Sequence, residues 1–290
     1  MTSERLTPVT PLTWLFVPGD RPRALSGALR AGADVVIVDL EDAVAPAGKA
    51  AARSAIRELL GTPPEVPVYV RVNGIDNPHS REDIDALAPL PGLAGIMLPK
   101  TSSGGTVRTA LRWSDAATGS AGGGPPLHCL LECAQGIENA MAIATADPRV
   151  AGIGLGEIDL MADLGVTDDA GLVWARGRIV VAARAAGLPP PPQGVYPDVH
   201  DLAGLAQSCA AGRATGFFGR YAIHPRQLPV IVDSYRPSVD ELARAREALA
   251  ALGSGSGAAA LPDGRFVDEA VLRSARAAVA LAERYGTQGR

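Results

Sequence analysis

Aromatic residues are scarce, at 4% of the 290 residues, so a core made from this chain rests on Ala, Val, Leu and Ile. Long apolar runs are missing too. Val35-Val36-Ile37-Val38 is typical, far below the ~18 residues of a membrane-spanning helix. No membrane partner is expected. The opening MTSERLTPVT lacks an apolar h-region, so no secretory signal is expected. No cluster of Lys and Arg appears, and a net charge of −4 with a pI of about 5.6 argues against a nucleic-acid partner. Cysteine is limited to three residues. Cys129 and Cys133 would lie ~13 Å apart on a strand rising ~3.3 Å per residue, too far to bond. No CxxC or CxxH spacing points to zinc. These absences leave a cytoplasmic enzyme as the expectation.

What is present is globular: 47% hydrophobic and 20% charged. The length allows two domains, or one α/β barrel of roughly 250 residues with an extension. Apolar, β-branched runs predict strands at 13–17, 34–40, 66–72, 95–99, 127–133, 150–155, 193–196 and 215–218. Ala-rich amphipathic stretches between them predict helices at 22–31, 47–60, 81–87, 106–116, 136–145, 171–186 and 199–211. This alternation predicts a (β/α)8 TIM barrel over 1–232. Pro189 to Pro192 make the seventh unit the weakest, since proline donates no ladder hydrogen bond. Residues 233–290 read as a C-terminal helical extension. Ser238-Val-Asp-Glu241 is a capping box opening a helix over 239–252. Gly253-Ser-Gly-Ser-Gly257 reads as a flexible linker. A last helix, about 268–285, carries an apolar stripe through Leu272, Ala275 and Val279. The stripe needs a surface, either the chain's own or a neighbouring subunit's.

In such a barrel the chemistry sits at the C-terminal ends of the strands. Polar residues ending apolar runs are Asp39, Glu41 and Asp42, then Arg71 and Asn73, Lys100, Glu132, and Glu157 with Asp159. Burial of these groups requires partners, ions or water. Glu132 and Asp159 read as ends of adjacent strands ~4.8 Å apart. Two carboxylates with open positions suit Mg2+, with Mn2+ as a substitute; both acids could instead be paired with Arg or cap a loop. Arg71 can hold a substrate carboxylate in its fork, form an ion pair with Asp39, Glu41 or Asp42, or do both. Arg21 and Arg23, at the start of the first helix, are positioned to receive a phosphate or to be solvated. Gly152-Ile-Gly154-Leu-Gly156 lacks the third glycine of a dinucleotide fingerprint, and no helix is expected directly after it. Small residues fitting a barrel interior explain it better. His224 reads as a loop residue, Lys49 as a solvated helix residue and Lys100 as a strand-end ion pair in preference to a Schiff-base amine.

Seven segments in order resemble the citrate lyase beta-subunit-like family (HpcH/HpaI aldolase/citrate lyase), which includes malyl-CoA and citramalyl-CoA lyases. They are LFVPGDRP (15–22), ADVVIVDLEDAVAP (33–46), VYVRVNG (68–74), GIMLPKT (95–101), LLECAQGIENA (130–140), GEIDLMADLG (156–165) and GFFGRYAIHP (216–225). The resemblance implies a Mg2+-dependent barrel enzyme that makes or breaks a carbon–carbon bond. It implies Glu132 and Asp159 as metal ligands, Glu132 also beside the substrate. It implies Arg71 as the substrate-carboxylate residue, with Glu41 and Asp42 supporting the site. Arg21 and Lys100 are candidates for holding the coenzyme A part of the substrate. GRFVDEA (264–270) is similar to a family segment whose Asp reaches a neighbouring subunit's site; Asp268 holds that place, as acid/base or as a simple helix cap. A homo-oligomer, trimer or hexamer, follows from the same resemblance. Departures occur at Leu12-Thr13, Cys133, Gln193-Gly194 and Glu269, where the family usually has Arg-Ser, Ser or Thr, an Asp, and Pro. The expected reaction cleaves or forms a 3-hydroxy-3-carboxyl acyl-CoA, from or to a 2-oxo acid and an acyl-CoA. The alternatives are a metal-dependent aldolase on free 2-oxo acids, and a non-catalytic subunit of a lyase complex.

Overall fold

The apolar runs become strands because both of their faces are covered. β2 (Val35–Asp39) and β5 (Leu127–Leu131) are buried at every position, as parallel strands between helices and an interior must be. The computed structural model describes residues 10–252, 259–260 and 266–288. They fall into two compact units, one ending at Leu228 and one starting at Pro229. The first begins with β1 (Thr13–Pro18), α1 (Pro22–Leu29), β2, α2 (Lys49–Leu60), β3 (Val68–Arg71), α3 (Ser80–Leu87), β4 (Leu93–Leu98) and α4 (Gly104–Thr118). It continues with β5, α5 (Ala134–Glu138), α6 (Ala140–Ala144), β6 (Val150–Leu155), α7 (Glu157–Leu164), α8 (Val173–Ala185), α9 (Leu202–Ala214) and β7 (Arg220–Ala222). The seven strands form one parallel sheet in the order β6-β5-β4-β3-β2-β1-β7.

The sheet is strongly curled, because its two end strands face each other. A methyl group built on Gly154 of β6 would lie 2.1 Å from Tyr221 Oη of β7. Four of the chain's aromatic residues, Trp14, Phe16, Tyr69 and Tyr221, share one cluster inside this curl. Trp14 packs against Tyr69 and His128 with ring centroids 5.4 and 5.1 Å apart. His128 Nε2 lies 2.7 Å from Tyr221 Oη, and burial lowers the His128 pKa to about 4, so the ring is neutral. β6 leaves room for these groups through its glycines. A Cβ on Gly152 would come within 2.6 Å of His128, and one on Gly156 within 2.5 Å of Glu132. The glycine run is therefore a packing feature, as its sequence reads.

Several elements differ from the sequence expectation. The strand expected at 215–218 lies instead at Arg220–Ala222. Gly216 and Gly219 both have positive φ, which interrupts an extended chain there. Residues 193–196 form one parallel bridge, Gln193 to Arg220, and no continuous strand. The prolines before Gln193 explain the weak pairing. The helix expected over 136–145 is two five-residue helices meeting at Asn139, whose Nδ2 donates to Ser102 O at 2.8 Å. A helix does follow Gly156: α7 starts at Glu157, with Glu157 and Asp159 in its first turn, where carboxylates complement the positive end of the helix. Asp159 thus stands on a helix, not at a strand end. Among the described residues, no helix is long and apolar enough to cross a membrane.

The second unit contains α10, which starts at Leu228 and runs to Tyr235, α11 (Val239–Leu252), a two-residue hairpin of β8 (Ala259–Ala260) and β9 (Phe266–Val267), and α12 (Glu269–Tyr285). Ser238 and Glu241 form the expected reciprocal cap, with bonds of 2.7 and 3.1 Å. The apolar stripe of α12 has its surface within the same unit: Leu272, Ala275 and Val279 pack with Ala245, Ala248 and Leu249 of α11. The 253–257 linker and the first two residues of GRFVDEA lie outside the described residues.

Candidate active site

The site is built from the ends of neighbouring strands. Asp39 and Arg71 are register partners on β2 and β3, so their side chains meet at the rim. Arg71 Nε and Nη2 donate to the two oxygens of Asp39 at 2.8 and 2.6 Å. The same carboxylate accepts from the backbone N–H groups of Glu41 and Ala43 at 2.8 and 3.1 Å. The fork of Arg71 is therefore taken by Asp39. Its other nitrogen, Nη1, stands 3.3 Å from Glu41 Oε2 and 3.8 Å from Asp42 Oδ2. The guanidinium also lies over the Phe16 ring, 5.1 Å from its centroid. Burial opposes the Arg71 charge, but Asp39, Glu41 and Glu132 hold its pKa above the ordinary value.

Lys100 is the one described non-glycine residue with positive φ, at 49°. This left-handed turn aims its backbone N–H at Glu132 Oε2, 2.7 Å away. Its side chain reaches the other way, with Nζ 2.6 Å from Glu41 Oε1 and 3.5 Å from Asp42 Oδ1. Burial raises the Glu41 pKa, and the Arg71 charge offsets part of that rise. Glu132 is pushed up to about 7, first by burial and next by the charge of Glu41, with Asp159 adding to it. Asp159 is exposed and lines the same cavity as Glu132. Glu157 lines it too, but Arg176 holds both of its oxygens at 2.8 and 2.9 Å.

The cavity measures about 550 Å3. Its lining combines polar groups, Asp39, Asp42, Arg71, Glu132 and Asp159, with apolar ones, Phe16, Val17, Ile158, Val195 and Ile223. Tyr221 and Leu130 also line it. A second cavity of about 370 Å3 shares Asp42 and is lined by Glu41, Lys49, Asn73 and Lys100.

Of the residues singled out in the sequence, Asp42, Arg71, Glu132 and Asp159 come together on the first cavity. Glu41 and Lys100 face the second. Arg21 is exposed and lines neither cavity. His224 caps a short turn, its Nδ1 accepting from Arg226 N at 3.1 Å. Lys49, which reads as solvated, is buried at 4% exposure; the reason is a set of acceptors brought to it from the ends of β2 and β3. Tyr221, which lines the first cavity, is not legible in the sequence, because the last strand is expected at 215–218.

Metal binding at this site can be tested on the donors themselves. No group of three or more His, Cys, Asp or Glu is arranged around a common metal position among the described residues. Glu132 and Asp159 supply two hard oxygen donors to the cavity, and among the described residues neither forms an ion pair. The raised pKa of Glu132 arises partly from neighbouring carboxylates, which is a local demand for positive charge. Such a set fits an ion that takes the rest of its shell from water and substrate oxygens, and it does not fit zinc.

Residues 12–225 match the family described as HpcH/HpaI aldolase/citrate lyase. The chain belongs to that family. It is accordingly an enzyme of the citrate lyase beta-subunit type. It is 39% identical over 270 residues to the citrate lyase subunit beta-like protein of Mycobacterium tuberculosis, covering 90% of this chain and 92% of that one. It is 36% identical over 278 residues to a (3S)-malyl-CoA thioesterase of Cereibacter sphaeroides, covering 93% of each. Among solved structures, the CitE protein of M. tuberculosis in complex with magnesium, acetoacetate and coenzyme A superposes with a TM-score of 0.79 at 35% identity. The match covers 95% of this chain and 99% of that one.

Proposed function

We propose that this enzyme is a Mg2+-dependent, cytoplasmic carbon–carbon lyase. Its substrate is a 3-hydroxy-3-carboxyl acyl-CoA such as citramalyl-CoA or malyl-CoA, and its products are a 2-oxo acid and a smaller acyl-CoA. The observation that carries this reading is Glu132: a buried carboxylate fixed by the Lys100 backbone, on one cavity with Asp159 and Arg71. A solved relative bound to magnesium, a 3-oxo acid and coenzyme A supports it. The proposal includes a closed (β/α)8 barrel, with residues 193–196 beside β7 as the missing strand.

Glu132 and Asp159 would hold the ion, which when bound supplies Lewis-acid polarisation of the carbonyl that develops on cleavage. Arg71 offers Nη1 to the substrate carboxylate, and Asp39 keeps the guanidinium in orientation. The apolar lining residues Val17, Ile158, Val195 and Ile223 limit water around the acyl part. A base removes the hydroxyl proton, and that electron pair forms the carbonyl of the 2-oxo acid. The bond between the carbinol carbon and the thioester α-carbon breaks, and its electrons form the thioester enolate. Protonation at the α-carbon then gives the acyl-CoA. Asp268 is proposed as the acid/base, contributed within a homo-oligomer by the 233–290 extension of a neighbouring copy. Arg21 and Lys100 remain proposals for the coenzyme A contact.

The test is an assay of purified protein with Mg2+ or Mn2+, and with EDTA, against acyl-CoAs plus glyoxylate or pyruvate and against free 2-oxo acids. The expected result is reversible, metal-dependent formation of a 3-hydroxy-3-carboxyl acyl-CoA. Activity on free oxo acids alone would make it a plain aldolase. Release of CoA with no oxo acid would make it a thioesterase.

A further inference from the structure

Lys49 opens α2, outside the catalytic wall, yet its amine is buried and all three of its N–H bonds are used. Nζ donates to Leu40 O at 2.7 Å, Glu41 O at 2.8 Å and Asn73 Oδ1 at 2.7 Å. All three acceptors are neutral, so no carboxylate neutralises this amine directly. Burying a charged amine in this way costs free energy that good geometry must offset. The acceptors are themselves fixed. Asn73 donates through Nδ2 to Leu40 O at 3.1 Å and to Asp83 Oδ2 at 2.6 Å. Asp83, fully buried, accepts from Arg53 Nη1 at 2.9 Å through its other oxygen.

The place of these acceptors matters more than their number. Leu40 and Glu41 lie between Asp39, which holds Arg71, and Asp42, which lines both cavities. Asn73 follows Arg71 by two residues. Lys49 therefore ties the end of β2 to the end of β3 directly behind the charged rim. We infer that Lys49 is a positioning residue: it fixes the Leu40–Glu41 backbone so that the Glu41 carboxylate reaches Lys100 and faces Arg71. Through Lys100, that position bears on the backbone amide that holds Glu132. The inference rests on the site reading given above for its kinetic consequence, but not for its structural one.

The test is a double-mutant cycle of Lys49→Met and Glu41→Gln, read in two ways. In turnover, Lys49→Met lowers kcat by about tenfold or more with little change in KM, the signature of misplacement at a distance from the substrate. In the Glu41→Gln background the same change has less than about a twofold further effect, because the two act through one contact. In hydrogen exchange, Lys49→Met speeds exchange in the peptide covering 40–44 and also in the one covering Lys100, with β5 and β6 unchanged. The Lys100 effect disappears in the Glu41→Gln background. The exchange result stands even if wild type turns over no acyl-CoA, which would fault the proposed function alone. An unchanged kcat in an active enzyme, fully additive losses, or exchange confined to 40–44 would each overturn the inference. If Lys49→Met does not fold, Lys49→Gln, which keeps N–H donors on a shorter stem, carries the same cycle.

Discussion

The ends of β2 and β3 carry as much charge as the region after β5 and β6, but the two halves of the rim treat it differently. Asp39 has four hydrogen bonds, counting Arg71 twice and the backbone of Glu41 and Ala43. Among the described residues Glu132 has one, from a backbone N–H, and Asp159 has no ion pair. The first half is a frame whose charges answer one another. The second half leaves oxygen lone pairs for something outside the chain. A densely hydrogen-bonded half beside an under-partnered half is how a site can bind a cation without rearranging.

Breaking the frame gives the largest expected loss of stability. Asp39→Ala strands the Arg71 guanidinium and two backbone N–H groups, at a cost of about 3–5 kcal/mol in denaturant unfolding. Glu132→Gln has the opposite sign on the other half. With metal chelated, it removes a carboxylate whose pKa is pushed up to about 7. Above that pH the variant should unfold at higher denaturant than wild type. If Asp39→Ala and Glu132→Gln destabilise equally, the contrast between the halves fails.

Much of the second half was legible in the sequence because an acid that ends an apolar run is conspicuous. Glu132 follows a fully buried strand, and Asp159 follows the glycine run. The frame was less legible. That Asp39 takes the Arg71 fork depends on strand register. Lys49 reads as solvated because its three acceptors come from positions 40, 41 and 73, which only the fold brings together. The helix after Gly156 is not legible because Glu157 and Asp159 look like a strand end, although acids also favour a helix start. The last strand was displaced because Gly216 and Gly219 interrupt the apolar run that suggested it.

An intermediate effect sharpens the comparison from beneath the rim. His128 takes up a proton at about 4 in the folded protein because of burial, and near its ordinary value of 6.5 when unfolded. Between those values the unfolded chain binds more protons. Stability should therefore rise from pH 4 to 6.5 and level off above, by up to about 3 kcal/mol from this residue. Denaturant titrations of wild type and His128→Gln across that range measure the difference. Equal pH slopes would mean that the ring is solvated. The smallest effect on stability is expected for Asp268→Asn. Asn replaces Asp as a helix cap within a few tenths of a kcal/mol, preserving the bond from Val271 N, now 2.9 Å. Turnover, in contrast, should fall by about a hundredfold or more if Asp268 is the acid/base. Unchanged turnover would leave it a cap only.

On the proposed function, Glu132 and Asp159 form the half of the rim left open for a metal ion. Mn2+ binding by calorimetry or electron paramagnetic resonance, with no substrate present, tests it most directly. One ion per chain should bind wild type and also Arg71→Lys, which alters the frame. Glu132→Gln and Asp159→Asn should each weaken binding by at least about tenfold while remaining folded. Undiminished Mn2+ binding in both carboxylate variants would contradict the account.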